Sequence, residues 1–188
     1  RQHAIDALAA LASPQIANGE RFLIDAFQAT QILPRPLGID TFEQVRGTPV
    51  MNVVASLPLQ RQLANYEANV TSIGVTLGAI TPYRDLARTR MPFVVQEKIQ
   101  AACGDRVVLA PGTGVTTIAL PETCDPGLTP AEEAAGVAAL RSASDIRFVL
   151  NRQISDLDQK LKLLDGLARR TGMLTQSLRD NGATDHEE

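Results

Sequence analysis

Residues 59–80 read LQRQLANYEANVTSIGVTLGAI. Within them Leu59, Leu63, Tyr66, Val70, Ile73, Leu77 and Ile80 recur at spacings of 4, 3, 4, 3, 4 and 3. Apolar residues at that alternation line one face of an α-helix and form the seam by which it packs on another helix. Ser56-Leu-Pro58 opens the segment and Thr81-Pro82 kinks or restarts it, so the spacing predicts a helix over about 57–80. Gly74 and Gly78 lie beside the seam. Each weakens a helix by about 1 kcal/mol relative to alanine and admits a close neighbour.

A second seam follows near the C-terminus. Leu150, Ile154, Leu157, Leu161, Leu164 and Ala168 repeat in the same way, Ser144 is a candidate cap, and a helix is expected over about 145–178. At 1.5 Å per residue it would span roughly 50 Å. Neither seam can be buried alone. The economical arrangement packs both helices antiparallel with an N-terminal helix, as a mainly α, up-down bundle.

The segments around them are also helical in pattern. Ile5, Leu8, Leu11 and Ala12 have helical spacing. Ser13-Pro14 interrupts them and offers a cap and a first-turn proline for a helix to about Ile32, with Ile16, Leu23, Ile24 and Phe27 inward. Pro34-Arg-Pro36 ends it. Asp40-Thr-Phe-Glu43 resembles a capping box for a short helix to about Arg46, broken by Gly47-Thr-Pro49. Leu86, Met91, Val95 and Ile99 resume the pattern with a break at Pro92. Thr129-Pro-Ala-Glu132 is a capping box with proline at the first helical position, and its helix should reach about Ser142. Asn181–Glu188 reads as a polar, flexible tail.

Residues 103–124 differ in character. Arg106-Val-Val-Leu-Ala110 and Val115-Thr-Thr-Ile-Ala-Leu120 are β-prone, and Pro111-Gly-Thr-Gly114 between them is turn chemistry. Cys103 and Cys124 bracket the excursion almost symmetrically, so an antiparallel hairpin would bring them together at its open end. A disulfide there closes a loop of about 20 residues and stabilises by roughly 3 kcal/mol in the chain-entropy model. Such bonds persist in oxidising compartments, so an extracytoplasmic, periplasmic location is expected.

Length and composition bound the rest. At 188 residues the chain suits one domain, taken as 1–180, and 44 % hydrophobic with 21 % charged residues excludes wholesale disorder. Aromatics are only 4 % and tryptophan is absent, which favours helix-on-helix packing and removes most stacking platforms for sugars or single-stranded nucleic acid. Net charge is −3; Lys160, Lys162, Arg169 and Arg170 are interleaved with Asp156, Asp158 and Asp165, a solvated face and not a phosphate-binding stripe. No nucleic-acid partner is expected. No apolar run approaches the roughly 20 residues of a membrane span. The chain begins at Arg1 and not at a methionine, so an upstream anchor or signal is expected before it.

The chemistry-bearing residues are few. Two cysteines without CxxC spacing are too few for a zinc site, and no metal or cofactor is expected. His3 and His186 lie near the chain ends, which argues against a serine–histidine–aspartate site. Pro111-Gly-Thr-Gly-Val-Thr-Thr117 lacks the lysine of a phosphate loop. Glu132-Glu133 suit a helix N-terminus, and Asp156 and Asp158 a polar helix face. Asn69-Val-Thr71 fits a glycosylation sequon but sits inside the first seam helix. Tyr83, Arg84, Arg88 and Arg90, beside the Pro82 break, read either as a solvated helix face or as a site for an anionic ligand, and are the first place to look for a small-molecule site.

Thr41, Phe42, Glu43 and Val45, followed by Leu59, Gln60, Leu63 and Tyr66, resemble a pattern in a family of uncharacterised bacterial membrane-anchored proteins. There a short T-[YF]-[ED]-x-[LV] helix precedes a [LI]-R-x-x-L-x-x-Y helix; Gln60 stands where the family has arginine. The resemblance implies one transmembrane helix before Arg1 and a helical extracytoplasmic domain tethered to the inner membrane. It brings no catalytic residue.

The expected role is therefore a non-enzymatic interaction or scaffold domain, acting on a protein partner or through self-association of its helices. The alternative is the ligand-sensing domain of a membrane receptor, since long helices can pass a small shift along their length.

Overall fold

The structure, a computed structural model, describes residues 1–31, 57–109, 116–119, 121 and 123–184. The short helix expected at 40–46, and with it the first half of the family-like pattern, lies outside the described residues.

The chain is mainly helical. Helix α1 (Gln2–Ala12) is followed by α2 (Gly19–Gln28), α3 (Leu57–Gly78), α4 (Pro82–Arg90) and α5 (Phe93–Cys103). Two strands, β1 (Arg106–Leu109) and β2 (Thr116–Ala119), precede α6 (Pro130–Arg141) and α7 (Ile146–Thr184). The strands pair antiparallel, Arg106 opposite Ala119 and Leu109 opposite Thr116. No described helix is long and apolar enough to cross a membrane.

Local chemistry explains most boundaries. Thr129 and Glu132 form the full capping box: Glu132 N–H donates to the Thr129 hydroxyl at 3.3 Å and Thr129 N–H to the Glu132 carboxylate at 2.8 Å. Pro82 occupies the first turn of α4, where its missing N–H is harmless. The second helix starts later than Ser13-Pro14 suggests. Ser13 turns its hydroxyl to the Gln15 carbonyl (2.7 Å), while Asn18 accepts from Arg21 N–H (2.8 Å) and caps α2. The same helix ends at Gln28, short of Ile32. At the other end of the chain, α7 runs on to Thr184 through residues expected to form a tail. Gly182 costs a helix only about 1 kcal/mol, and no proline interrupts it.

Length suggests one domain, whereas the contacts divide the chain into two compact units, each with its own core. The first is Arg1–Ile32 with Ile80–Leu157. Its core gathers Phe22, Leu23 and Phe27 of α2 with Tyr83, Val95, Ile99, Cys103, Leu140 and Leu150, all fully buried or nearly so. Helix α2 is its centre: all but two of its residues are buried, and it touches α1, α4, α5 and α6. Gly136 of α6 packs against Leu23 so closely that a Cβ there would lie 2.9 Å from Leu23 Cδ2.

Burying α2 leaves a problem at its C-terminus: Thr30 and Gln31 N–H groups return to the Phe27 and Gln28 carbonyls, but those of Ala26 and Ala29 need other donors. Side chains from distant segments supply them. Tyr83 donates to the Ala26 carbonyl (2.9 Å), Gln153 to Ala29 (3.1 Å) and Arg84 to Thr30 (2.7 Å). The Thr81 hydroxyl in turn donates to Gln153 Oε1, and Gln28 donates to the carbonyl of Cys103.

The disulfide is present. Cys103, the last residue of α5, is fully buried, and Cys124 packs half-buried against the same core. Their Cα atoms are 5.3 Å apart and the bond spans 21 residues that include both strands.

The second unit is Leu33–Ala79 with Asp158–Glu188. Val70 and Ile73 of α3 pack with Leu167 of α7, flanked by Tyr66, Leu77 and Leu163. Lys160 donates to the Ala79 carbonyl (2.6 Å), Arg170 to Asn69 (2.8 Å) and Thr171 to the Tyr66 hydroxyl (3.2 Å). Position along α3 thus falls as position along α7 rises. The first seam is buried at Leu59, Val70 and Ile73, but Ile80 lies beyond the helix and is 63 % exposed. The second seam departs from expectation: Leu161, Leu164 and Ala168 are exposed, and the residues that face the core are Leu163 and Leu167. Among the described residues, nothing approaches a Cβ built at Gly74 or Gly78, so these glycines admit no close neighbour.

Candidate functional site

Arg84 and Arg88 are one turn apart on α4 and so share a face. Both reach the C-terminal end of α2. Arg84 donates through Nη1 to the Thr30 carbonyl, and Arg88 through Nε to the Thr30 hydroxyl at 2.8 Å. The Arg88 guanidinium also lies over the Phe27 ring, 3.8 Å from its centre, a cation–π contact. Burial, and then the neighbouring Arg84, hold the Arg88 pKa below the ordinary arginine value. Both side chains are half-buried, and among the described residues neither pairs with a carboxylate.

The other two members of the expected cluster do not join them. Tyr83 is fully buried and turns its hydroxyl to Ala26. Burial, with Asp25 as the second cause, pushes that hydroxyl above the ordinary tyrosine range, so it stays a donor. Arg90, at the end of α4, is exposed. Beside Arg88 opens a groove of about 410 Å³, lined also by Phe93, Gln96, Glu97, Gln100 and Ala101. Gln96 is fixed by donating to the carbonyls of Arg88 and Met91, both at 2.7 Å.

A second polar cluster escaped the sequence reading. Asp25, 3 % exposed, accepts from Arg21 Nε at 3.1 Å and meets His3 Nδ1 at 2.6 Å. His3 belongs to α1 and not to a loose end, because α1 begins at Gln2. The available signal was Asp25 itself, a charge inside the apolar run Phe22-Leu-Ile-Asp-Ala-Phe27, which demands buried partners. A groove of about 400 Å³ lies alongside, lined in part by Asp6, Ser13, Asn18 and Arg21. Among the described residues, no hydroxyl or thiol is hydrogen-bonded to His3, and no group of three or more histidine, cysteine or acidic side chains could hold a metal.

Glu132, Asp156, Lys160, Arg170 and Asn69 have structural partners. Glu132 caps α6 and pairs with Lys98 Nζ at 2.7 Å. The Lys98 hydrogen bond, and then that of Thr129 N–H, hold its carboxyl down at about 2. Asp156 lies 3.7 Å from Arg152 one turn back. Lys160 donates to the first carbonyl beyond the end of α3, and Arg170 holds Asn69. Asn69 lies within α3 and donates to the Asn65 carbonyl at 2.6 Å.

The chain matches no protein-family model, no curated protein and no solved structure.

Proposed function

We propose that this chain is a non-enzymatic interaction domain that lies outside the cytoplasm, tethered to a bacterial inner membrane, and that it self-associates through α7. The observation that carries the reading is an uncovered seam. Leu161 and Leu164 continue the spacing of Leu150, Ile154 and Leu157, yet they are 47 % and 39 % exposed, and Leu178 further on is 45 % exposed. An apolar stripe left open on a helix marks a contact surface.

A second copy of the chain is the occupant that the charges favour. In a parallel pair of α7 helices Lys160 flanks Leu161 and faces Asp165, which flanks Leu164 on the partner, the g-to-e pairing of coiled coils. Lys160 gives one N–H to Ala79 and retains two more. Two α3–α7 pairs joined this way would make a four-helix, up-down bundle. The strand pair and its disulfide read as a closed hairpin inserted in that helical frame, and the disulfide supports an oxidising compartment. The pattern of Leu59, Leu63 and Tyr66 supports the membrane-anchored family.

Sedimentation equilibrium over a dilution series tests the reading. The wild-type chain should be a dimer, and Leu161→Glu with Leu164→Glu should be a folded monomer by circular dichroism. A wild-type monomer at every concentration overturns it, as does a dimer that survives both substitutions.

A further inference from the structure

Two like charges one turn apart repel, by a few tenths of a kcal/mol even on an exposed helix. Arg84 and Arg88 are held in that arrangement and half-buried besides. The end of α2 accounts for part of this. A helix C-terminus carries about −0.5 of an elementary charge. Set against two guanidinium cations, it leaves a net positive charge in one place. Among the described residues no carboxylate pairs directly with either guanidinium, and the nearest in the groove lining, Glu97, makes no ion pair with Arg88. Each guanidinium has five N–H donors, and one from each goes to Thr30. The site is thus short of an anion.

Its surroundings narrow the anion's chemistry. The groove beside Arg88 is lined by Phe93, Gln96, Gln100 and Ala101, and Phe93 is 76 % exposed. Its volume, about 410 Å³, lies within the range of small-molecule sites. Glu97 also lines it, which opposes a dianion such as phosphate more than a single carboxylate. We propose that the Arg84–Arg88 pair and the adjoining Phe93 groove bind a small organic carboxylate with a flat apolar body. The carboxylate takes the guanidinium fork of Arg88, with Arg84 adding charge, and the apolar body rests on Phe93. The site lies wholly in the first unit and does not depend on self-association through α7.

Titration calorimetry and NMR on the full chain test this with 3-phenylpropionate as probe, 3-phenylpropan-1-ol as its uncharged counterpart and inorganic phosphate as a plain anion. The carboxylate should bind saturably, and the alcohol and phosphate should bind at least about tenfold more weakly. Arg88→Gln should weaken the carboxylate by about tenfold or more, the worth of a charge-assisted hydrogen bond. Because Arg88 also touches Phe27, the exposed Phe93→Ala is the second variant; it should keep the fold and weaken the same probe. Glu97→Gln should tighten it. Absence of saturable carboxylate binding, equal binding of the alcohol, phosphate binding as tightly, or affinity unchanged in both Arg88→Gln and Phe93→Ala overturns the proposal.

Discussion

Gly136 of α6 and Leu23 of α2 mark a close helix–helix approach in the core of the first unit: a Cβ at Gly136 would stand 2.9 Å from Leu23 Cδ2 and 3.0 Å from Cδ1. Leu23 is fully buried, so its side chain cannot swing out into solvent. Gly136→Ala would gain about 1 kcal/mol of helix propensity and lose about 1–3 kcal/mol to overpacking. The expected net is a loss of roughly 1 kcal/mol in urea unfolding. Gly172→Ala is the matched control, since its Cβ meets nothing within 4 Å. It should gain about 0.5–1 kcal/mol. A gain of equal size at both positions would mean that α2 and α6 do not approach this closely.

What the sequence makes legible follows from the range of the interactions involved. Caps are local, so the Thr129–Glu132 box could be read directly from four residues. Cys103 and Cys124 bracketed a β-prone stretch, and that symmetry sufficed for their pairing. Seam positions were legible only while one partner covered them. Leu150, Ile154 and Leu157 pack in or against the core of the first unit, but in the second unit α7 presents Leu163 and Leu167 to its own core. Spacing within one helix cannot report such a change of partner. Ser13 shows the limit of propensity, because a hydroxyl suited to capping was satisfied instead by Gln15. Arg84 and Arg88 were visibly on one face, yet what they reach is Thr30, more than fifty residues earlier in the chain. His3 lies near the chain end, where no partner is expected, yet Asp25, a charge within an apolar run, calls for one.

Gln153 is the polar hub of the first unit. It is 1 % exposed, donates to the Ala29 carbonyl at 3.1 Å and accepts from the Thr81 hydroxyl. Gln153→Leu removes both bonds and orphans two buried groups, each costing about 1–3 kcal/mol. A loss of about 2–4 kcal/mol in chemical denaturation is expected. Adding Thr81→Val removes one orphan, so the double variant should be more stable than the sum of the two single losses predicts. Strict additivity would show that the two side chains do not interact.

Acid should weaken α6 in a defined window. Glu132 titrates at about 2 in the folded chain against an ordinary 4.5, chiefly because it accepts from Lys98. A depressed carboxylate pKa means that the unfolded chain binds the proton more readily. The contribution is therefore complete above about 4.5 and is lost as pH falls toward 2. Melting temperature followed from pH 4.5 to 2 should fall less steeply in Glu132→Gln than in the wild type, with Lys98→Met giving an intermediate slope. Identical slopes in all three chains would show that the Lys98–Glu132 bond does not persist in solution.

The disulfide makes the most consequential prediction, because compartment and stability both hang on it. Cys103 is sealed in the core and its carbonyl also accepts from Gln28, so the bond ties α5 and α2 to the segment that carries both strands. Closing a loop of 21 residues stabilises by roughly 3 kcal/mol through the unfolded state. Cys103→Ser with Cys124→Ser should lose about 2–5 kcal/mol, with the higher figure including the buried hydroxyl left at position 103. Cys103→Ala with Cys124→Ala separates the two effects and should lose less. Chain purified under an alkylating agent and denatured without reductant should show no labelled thiol, because neither cysteine is free. Two labelled thiols, with unfolding unchanged by reductant, would remove the argument for an oxidising compartment and with it the principal support for an extracytoplasmic domain.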